Sequence, residues 1–181
     1  MHPEALSEAQ RTTSDTTMRR RRGVIGLSLA AAGSMGLIAL YQSGVIRHIP
    51  EPPLPGLDAD KIDASAEAFE RFQVGDAFLG FVSYGVTMAL AAMGPPRRAA
   101  EQPWLPLALA GKVTFDVATA AKLTVDQWTR HKAFCFWCLV ASAATFATAP
   151  LVVREAREAL SVLSDRSGAP SPGGAPRAVA S

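Results

Sequence analysis

The sequence predicts an all-α fold, namely an integral membrane four-helix bundle with both termini in the cytoplasm. The 181 residues are 49% hydrophobic and 19% charged, which is typical of a small membrane protein with one domain. Long apolar stretches run through the chain, and groups of arginine lie beside them. The net charge of +2 is too small to indicate a nucleic-acid partner. We therefore expect membrane lipid, and no nucleic acid, around this chain.

The predicted spans cover residues 23–46, 76–96, 103–125 and 133–153, within a domain at 19–160. The first and fourth stretches carry no charge, and the second carries none after Asp76, which opens it. A helix needs about 20 apolar residues to cross a bilayer, and each of these stretches reaches that length. A cleaved signal peptide is the alternative for the first stretch, but its apolar run is too long for one. An uncleaved anchor is favoured.

The third stretch is weaker because it carries Lys112, Asp116 and Lys122. Charges in a bilayer are costly unless they pair or face the bundle interior. Lys112 and Asp116 are four residues apart, so they can meet on one helical face. Four spans place every arginine group in the cytoplasm, whereas three would leave the last group outside. These groups are Arg19 to Arg22, Arg97 with Arg98, and Arg154 with Arg157.

This topology places residues 47–74 and 126–132 on the outer side of the membrane. Prolines exclude a regular helix from the start of the first loop. The following segment DASAEAFERF predicts a short amphipathic helix that Ser65 caps and that covers the mouth of the bundle. Its apolar stripe consists of Ala68, Phe69 and Phe72. The polar residues 1–18 and the Gly- and Pro-rich residues 161–181 are expected to be disordered in the cytoplasm.

The only two cysteines, Cys135 and Cys138, form a C-x-x-C pair at the outer edge of the fourth span. The helix N-terminus and the cations Lys132 and Arg130 would stabilise a thiolate there. A disulfide can persist in the outer compartment, so the pair is a candidate redox centre. Two packing cysteines are the simpler alternative. Zinc lacks further ligands, so no metal is expected, and Leu139 stands where a covalent haem motif requires histidine.

Small and weakly polar residues form one stripe on each of two spans. On the fourth span the stripe continues from the cysteines through Ser142, Thr145 and Ala149. On the second it comprises Asp76, Gly80, Ser83 or Tyr84, and Thr87. Two such stripes can line an apolar pocket for a flat, lipid-soluble quinone, and Trp137 can shape that pocket. Helix–helix packing and an interfacial aromatic belt are the alternative interpretations.

Three segments together resemble the vitamin K epoxide reductase family, in its bacterial form. The fourth span contains KAFCFWCLVASA, the outer loop contains KIDAS, and the second span opens with VGDAFLGFVSY. The serine of KIDAS, Ser65, stands where the family usually has a serine. Gly75 replaces a proline that the family usually has at the start of the second span. The resemblance covers roughly residues 23–157.

The resemblance implies a four-helix bundle around a quinone, ubiquinone or menaquinone, in the inner (cytoplasmic) membrane. It implies that Cys138 contacts the quinone at the outer face and that Cys135 is its thiol–disulfide exchange partner. It places Asp76 and Ser142 near the quinone oxygen. The implied partner is a periplasmic or extracellular thioredoxin-like dithiol protein, whose oxidation supports disulfide formation outside the cytoplasm.

The outer loop departs from the family because it contains no cysteine. The family has a second cysteine pair there, and Ala59 stands where one member of that pair would fall. A partner's thiols would then attack the Cys135–Cys138 disulfide directly, or another reductant would serve. The alternative function is a non-catalytic membrane module of the same fold that binds quinone or lipid.

Overall fold

The computed structural model describes residues 2–65 and 75–168, and these are helical with no β-strand. Four long helices and several short ones make up the described chain. Helix α1 is Pro3–Thr12, α2 is Thr16–Gln42, α3 is Ala59–Asp63, α4 is Asp76–Ala92, α5 is Arg98–Glu101, α6 is Trp104–Asp126 and α7 is Phe136–Gly168. A π-helical turn, Gln127–His131, follows α6. The predicted all-α class is therefore confirmed for the described residues.

The four long helices pack side by side. Helix α2 packs against both α4 and α7, while α6 packs against α7 and more lightly against α4. At one end, a buried cluster holds Ile38 together with Ala59 and Cys135. Another cluster, with Val24 and Leu109, lies at the other end. Because the first cluster contains the loop residue Ala59, the outer loop belongs to the core.

Two of the described helices, α2 and α7, are long and apolar enough to cross a membrane. Helix α4 is apolar but has only 17 residues, and α6 carries the internal charges. The four membrane spans and the cytoplasmic position of both termini therefore stay predictions. A helix of this length reaches about 25 Å, slightly less than the hydrocarbon core.

Local capping explains where the helices depart from the predicted spans. Helix α2 begins at Thr16, seven residues early, because the Asp15 carboxylate accepts the N–H of Met18 at 2.7 Å. Helix α4 stops at Ala92 rather than residue 96. Gly94, at φ +83°, follows it, and a Cβ on this glycine would lie 2.8 Å from the side chain of Leu105. Only glycine fits this turn without strain.

The N-terminal segment differs from the prediction of disorder, because α1 covers Pro3–Thr12. The Gln10 side chain donates to the carbonyls of Ala92 and Gly94, at 2.9 and 3.2 Å. Arg22 donates to the Gln10 carbonyl at 2.7 Å. These contacts attach α1 to the ends of α2 and α4, a stabilisation that local composition does not reveal.

The other flank and the outer loop are only partly described. Helix α7 continues to Gly168, so the first eight residues of the predicted disordered tail are helical. The remainder of that tail lies outside the described residues. The predicted amphipathic helix at 63–72 also lies mostly outside them, including Phe69 and Phe72. The described helix of this loop is α3, which comes earlier and is capped by Asp58.

Two arginines hold the end of α4 that lies away from the cysteines. The Arg98 guanidinium is fully buried and forms two hydrogen bonds with the Glu155 carboxylate of α7, both 2.8 Å long. It also donates to the carbonyls of Leu90 and Met93. Arg21 of α2 donates to further carbonyls of the same helix end. The unpaired carbonyls of α4 are thereby satisfied.

We predict that Glu155→Ala strongly destabilises the protein, since it leaves the buried Arg98 charge without its partner. The expected loss is about 3–5 kcal/mol. The matched control is Glu158→Ala on the same helix, which removes an exposed 3.2 Å pair with Arg154 and should cost less than about 1 kcal/mol. Thermal unfolding in detergent measures both. Similar midpoints for the two variants would contradict the structural role assigned to Arg98.

Candidate functional site

The cysteine pair is positioned by a short backbone pairing between the outer loop and the start of α7. The N–H of Asp58 donates to the Phe134 carbonyl at 2.9 Å, and the N–H of Phe134 donates to the Gly56 carbonyl at 2.8 Å. These bonds form an isolated parallel β-bridge between Leu57 and Phe134. Helix α7 begins directly afterwards, so the pairing fixes the position of its first turn.

Cys135 lies beneath the loop, and Cys138 lies on the same face one turn later. Cys135 has no exposed surface. Its sulfur accepts the N–H of Cys138 at 3.3 Å, and its own N–H donates to the side-chain oxygen of Gln127 at 3.1 Å. Both thiols are free. The sulfur of Cys135 thus occupies the capping position at the N-terminus of α7.

The cations predicted to stabilise a thiolate lie against other groups. The Lys132 ammonium lies over the Trp128 ring, 5.6 Å from its centroid. Arg130 lies 3.9 Å from the Asp126 carboxylate. The reason is the π-helical turn, followed by a left-handed backbone at Lys132 with φ of 53°. The helix N-terminus, rather than these side chains, is the positive group next to Cys135.

A cavity of about 570 Å³ opens beside Cys138, among α2, α4, α6 and α7. Its volume lies within the usual range for small-molecule sites. Four residues predicted to bind a cofactor line it together with Cys138: Asp76, Gly80, Tyr84 and Ser142. The halves of the two predicted stripes nearest the cysteines therefore face the same space, whereas Thr87, Thr145 and Ala149 do not line it. Their roles in binding stay predictions.

The polar residues of the cavity have defined partners. Asp76 accepts a hydrogen bond of 2.9 Å from the Gln42 amide. The Tyr84 hydroxyl lies 2.8 Å from that of Thr145. The Ser142 hydroxyl lies 3.2 Å from the Thr124 hydroxyl. These bonds fix the side chains and leave further donor or acceptor capacity on the Tyr84 and Ser142 hydroxyls.

Trp137 does not line the cavity, contrary to the prediction. Its indole N–H donates to the Pro50 carbonyl in the outer loop at 2.6 Å. A residue between Cys135 and Cys138 lies on another face of the helix, because successive residues turn by about 100°. Trp137 therefore holds the loop. For Gly80, cofactor binding and helix–helix packing both apply. This glycine lines the cavity, and a Cβ there would lie 2.9 Å from the Met35 sulfur of α2.

Asp63, which the sequence analysis did not select, is the acidic residue beside Cys138. Its carboxylate is 3% exposed, and one oxygen accepts the Cys138 thiol at 3.8 Å. The other oxygen has no hydrogen-bond partner among residues 2–65 and 75–168. Burial raises the pKa of Asp63 to about 7. The sequence contained one signal for this position. Asp63 is four residues after Ala59, so the two residues share one face of α3, and this face is buried.

Lys112 and Asp116 meet on one face of α6, as their spacing predicts. The ammonium lies 2.6 Å from both carboxylate oxygens. It also donates to the Ser83 hydroxyl at 2.8 Å, and Asp116 accepts from Thr87 of α4 at 3.1 Å. The pair thus joins α6 to α4 and places a neutralised polar group in the cavity wall.

The donor atoms of Asp63, Cys135 and Cys138 lie within 4.8 Å of one another. A closed zinc site requires four protein ligands. Among the described residues, no further histidine, cysteine or carboxylate joins this group. We assign no metal to it, and the dithiol remains available for redox chemistry.

The fold and the site define a class of helical proteins in which a C-x-x-C pair faces a ligand cavity. Residues 23–153 match the model of the vitamin K epoxide reductase family. The chain belongs to this family, which confirms the resemblance inferred from its motifs. Members are membrane proteins, and membership implies quinone-linked thiol oxidoreductase chemistry in general terms. No curated protein and no solved structure matches the chain.

The raised pKa of Asp63 predicts a pH-dependent stability. The folded state retains this proton up to about pH 7, whereas an unfolded aspartate releases it near 3.8. The stability contributed by the bound proton is therefore complete below 3.8 and is lost as the pH rises through 7. The wild-type unfolding temperature should fall over this range relative to that of Asp63→Asn. Parallel curves for the two proteins in detergent would show that Asp63 titrates normally.

Proposed function

We propose that this protein is a membrane dithiol–quinone oxidoreductase whose electrons pass from Cys135 and Cys138 to a quinone in the adjacent cavity. The observation that carries the proposal is the position of Cys138. Its side chain lines a ligand-sized cavity. Cys135 lies one helical turn earlier, and its sulfur accepts a hydrogen bond from the backbone N–H of Cys138. The family supplies the general chemistry.

The reaction converts two thiols into one disulfide. Two S–H bonds break and one S–S bond forms, and two electrons with two protons convert a quinone to a hydroquinone. Cys138 is the thiol that contacts the acceptor, and Cys135, whose sulfur caps the start of α7, closes the disulfide. Asp76, Tyr84 and Ser142 line the cavity at the positions from which they would orient the quinone oxygens. Ubiquinone and menaquinone both have suitable carbonyl groups.

The distribution of charge supports an outward-facing cysteine pair. Arg21 and Arg98 hold the C-terminal end of α4, whereas Asp76, at its N-terminal end, lines the cavity beside Cys138. These two arginines thus lie at the end of α4 opposite the cysteines. The positive-inside rule assigns that basic end to the cytoplasm. The cysteines would then face the periplasm, where a thioredoxin-like dithiol protein would reduce their disulfide.

The outer loop limits how such a partner gains access. Cys135 has no exposed surface, and Ala59, at the family's cysteine position, is also fully buried in the same cluster. Trp137 ties this loop to α7 through Pro50. Exchange between a partner thiolate and Cys135 therefore requires displacement of the loop, because this chain has no loop thiol to carry the electrons.

A non-catalytic quinone- or lipid-binding module is the second candidate function. The observation that favours it is the same closure of the loop over Cys135, combined with alanine at position 59. In this case the cavity would retain its ligand, and the thiols would stay reduced. The two candidates thus differ in the redox state of Cys135 and Cys138 in native membranes.

Thiol trapping in native membranes tests the proposed function. Acid-quenched samples, with and without quinone depletion, are alkylated with a mass tag and resolved on a gel. We expect a Cys135–Cys138 disulfide that becomes a dithiol when quinone is depleted. Cys138→Ala should abolish reduction of added quinone in the same membranes. Permanently reduced thiols, indifferent to quinone, would favour the non-catalytic module. Equal quinone reduction by the variant and the wild type would overturn the mechanism through Cys138.

A cysteine introduced at Ala59 should restore a loop thiol close to Cys135. In a Cys138→Ala background, we expect Ala59→Cys to form a disulfide with Cys135, since both positions belong to one buried cluster. The matched control is Ala64→Cys, on the same short segment but exposed. Mass mapping after mild oxidation distinguishes them. Equal crosslinking from both positions would contradict the described placement of the loop.

A further inference from the structure

Asp63 is held against the reacting thiol by contacts from three directions. Helix α3 ends at this residue and is fixed by the loop pairing at Phe134. The Gln42 amide of α2 donates to its backbone carbonyl at 3.3 Å. From α7, the Cys138 thiol approaches one carboxylate oxygen to 3.8 Å. Asp63 also lines the cavity. The carboxylate therefore lies beside the thiol, in the wall of the space proposed for the quinone.

No cation pairs with this buried carboxylate within the described part of the chain. Two other carboxylates act on it, Glu51 of the loop and Asp76 of α4, and their negative charges oppose its ionisation. The remaining titratable groups that face it are Cys135 just before α7, Cys138 of α7 and Tyr41 of α2. Burying a carboxylate among such neighbours costs stability. Such a cost at a cavity is typical of residues that move protons.

We propose that Asp63 is a catalytic proton carrier, which accepts the proton of the Cys138 thiol and delivers it to the oxygen of the quinone in the cavity. This inference rests on the proposed function and deepens it. The oxygen that accepts the thiol hydrogen bond receives the proton. The second oxygen is buried and has no hydrogen-bond partner among the described residues, so no neighbour fixes the proton on the carboxyl group. Asp63 is the carboxylate that accepts a hydrogen bond from this thiol.

The proton balance follows from the two-electron reaction. Deprotonation breaks the S–H bond of Cys138 and leaves Asp63 as a carboxylic acid. Oxidation of both sulfurs forms the S–S bond, and the electron pair goes to the quinone. The Asp63 proton goes to one quinone oxygen, and the Cys135 proton accounts for the other one. Asp63 ends the cycle as a carboxylate, ready for the next thiol. A pKa near 7 lets this residue both accept and donate the proton.

The experiment compares Asp63→Asn with wild-type protein in native membranes, using a water-soluble quinone analogue as the acceptor and a small dithiol as the reductant. We expect the rate to fall about 100-fold, the ordinary contribution of a general acid–base group. The wild-type rate should rise with pH through about 7 as Asp63 ionises, and the variant should lack this step. Asp63→Glu, which keeps the carboxylate, should recover activity to within about tenfold.

A second measurement separates proton transfer from an effect on the fold. In a Cys135→Ala background, N-ethylmaleimide alkylation reports the thiolate fraction of Cys138. A carboxylate repels a thiolate, so Asp63→Asn should speed alkylation even though it slows quinone reduction. The matched control is Asp58→Asn at the exposed N-cap of α3, since asparagine caps a helix as well as aspartate. This control should leave both rates unchanged.

The outcomes distinguish this inference from the function on which it rests. Full activity and an unchanged pH profile in Asp63→Asn, with Cys138→Ala inactive, would overturn the proton carrier and leave the oxidoreductase intact. Loss of activity with slower or unchanged alkylation would also overturn it, since Asp63 would then act on the fold or on access to the thiol. A wild-type protein without quinone reduction would overturn both proposals.

Discussion

The site depends on the backbone pairing between residues 56–58 and Phe134. Two main-chain hydrogen bonds join segments that lie far apart in the sequence. They place the start of α7 beneath the outer loop, which buries Cys135 and brings Asp63 to the thiol of Cys138. The packing of the long helices alone would not bury the Cys135 sulfur or place Asp63 beside the Cys138 sulfur.

Charge is used differently at the two ends of the helices. At the end with Arg98 and Glu155, every buried charge is matched by a carboxylate or by helix carbonyls, so it contributes to a fixed structure. At the cysteine end, Asp63 is buried without a cation within the described residues. A matched charge stabilises one arrangement, whereas an unmatched carboxylate can gain or lose a proton at little cost. The difference separates the supporting end from the reactive end.

The sequence was sufficient for features that depend on local pattern. The apolar runs predict the four long helices, the spacing of Lys112 and Asp116 predicts their contact, and helical periodicity brings Cys138 and Ser142 to one cavity. The sequence pattern did not predict contacts between residues far apart in the chain. Asp63 and Cys138 are 75 residues apart, and the order of α1 depends on Gln10 reaching the end of α4. The contact between Trp137 and the Pro50 carbonyl is a third example, since its acceptor is a backbone group 87 residues away.

The buried ion pair between Arg98 and Glu155 has a consequence for biosynthesis. Glu155 follows Arg98 by 57 residues. At ordinary rates of translation, the guanidinium is therefore made roughly 3 to 11 s before its carboxylate. During this interval it has no counter-ion on α7, so it must remain in water or among lipid headgroups. The C-terminal end of α4 therefore lacks its carboxylate partner until the last helix is made.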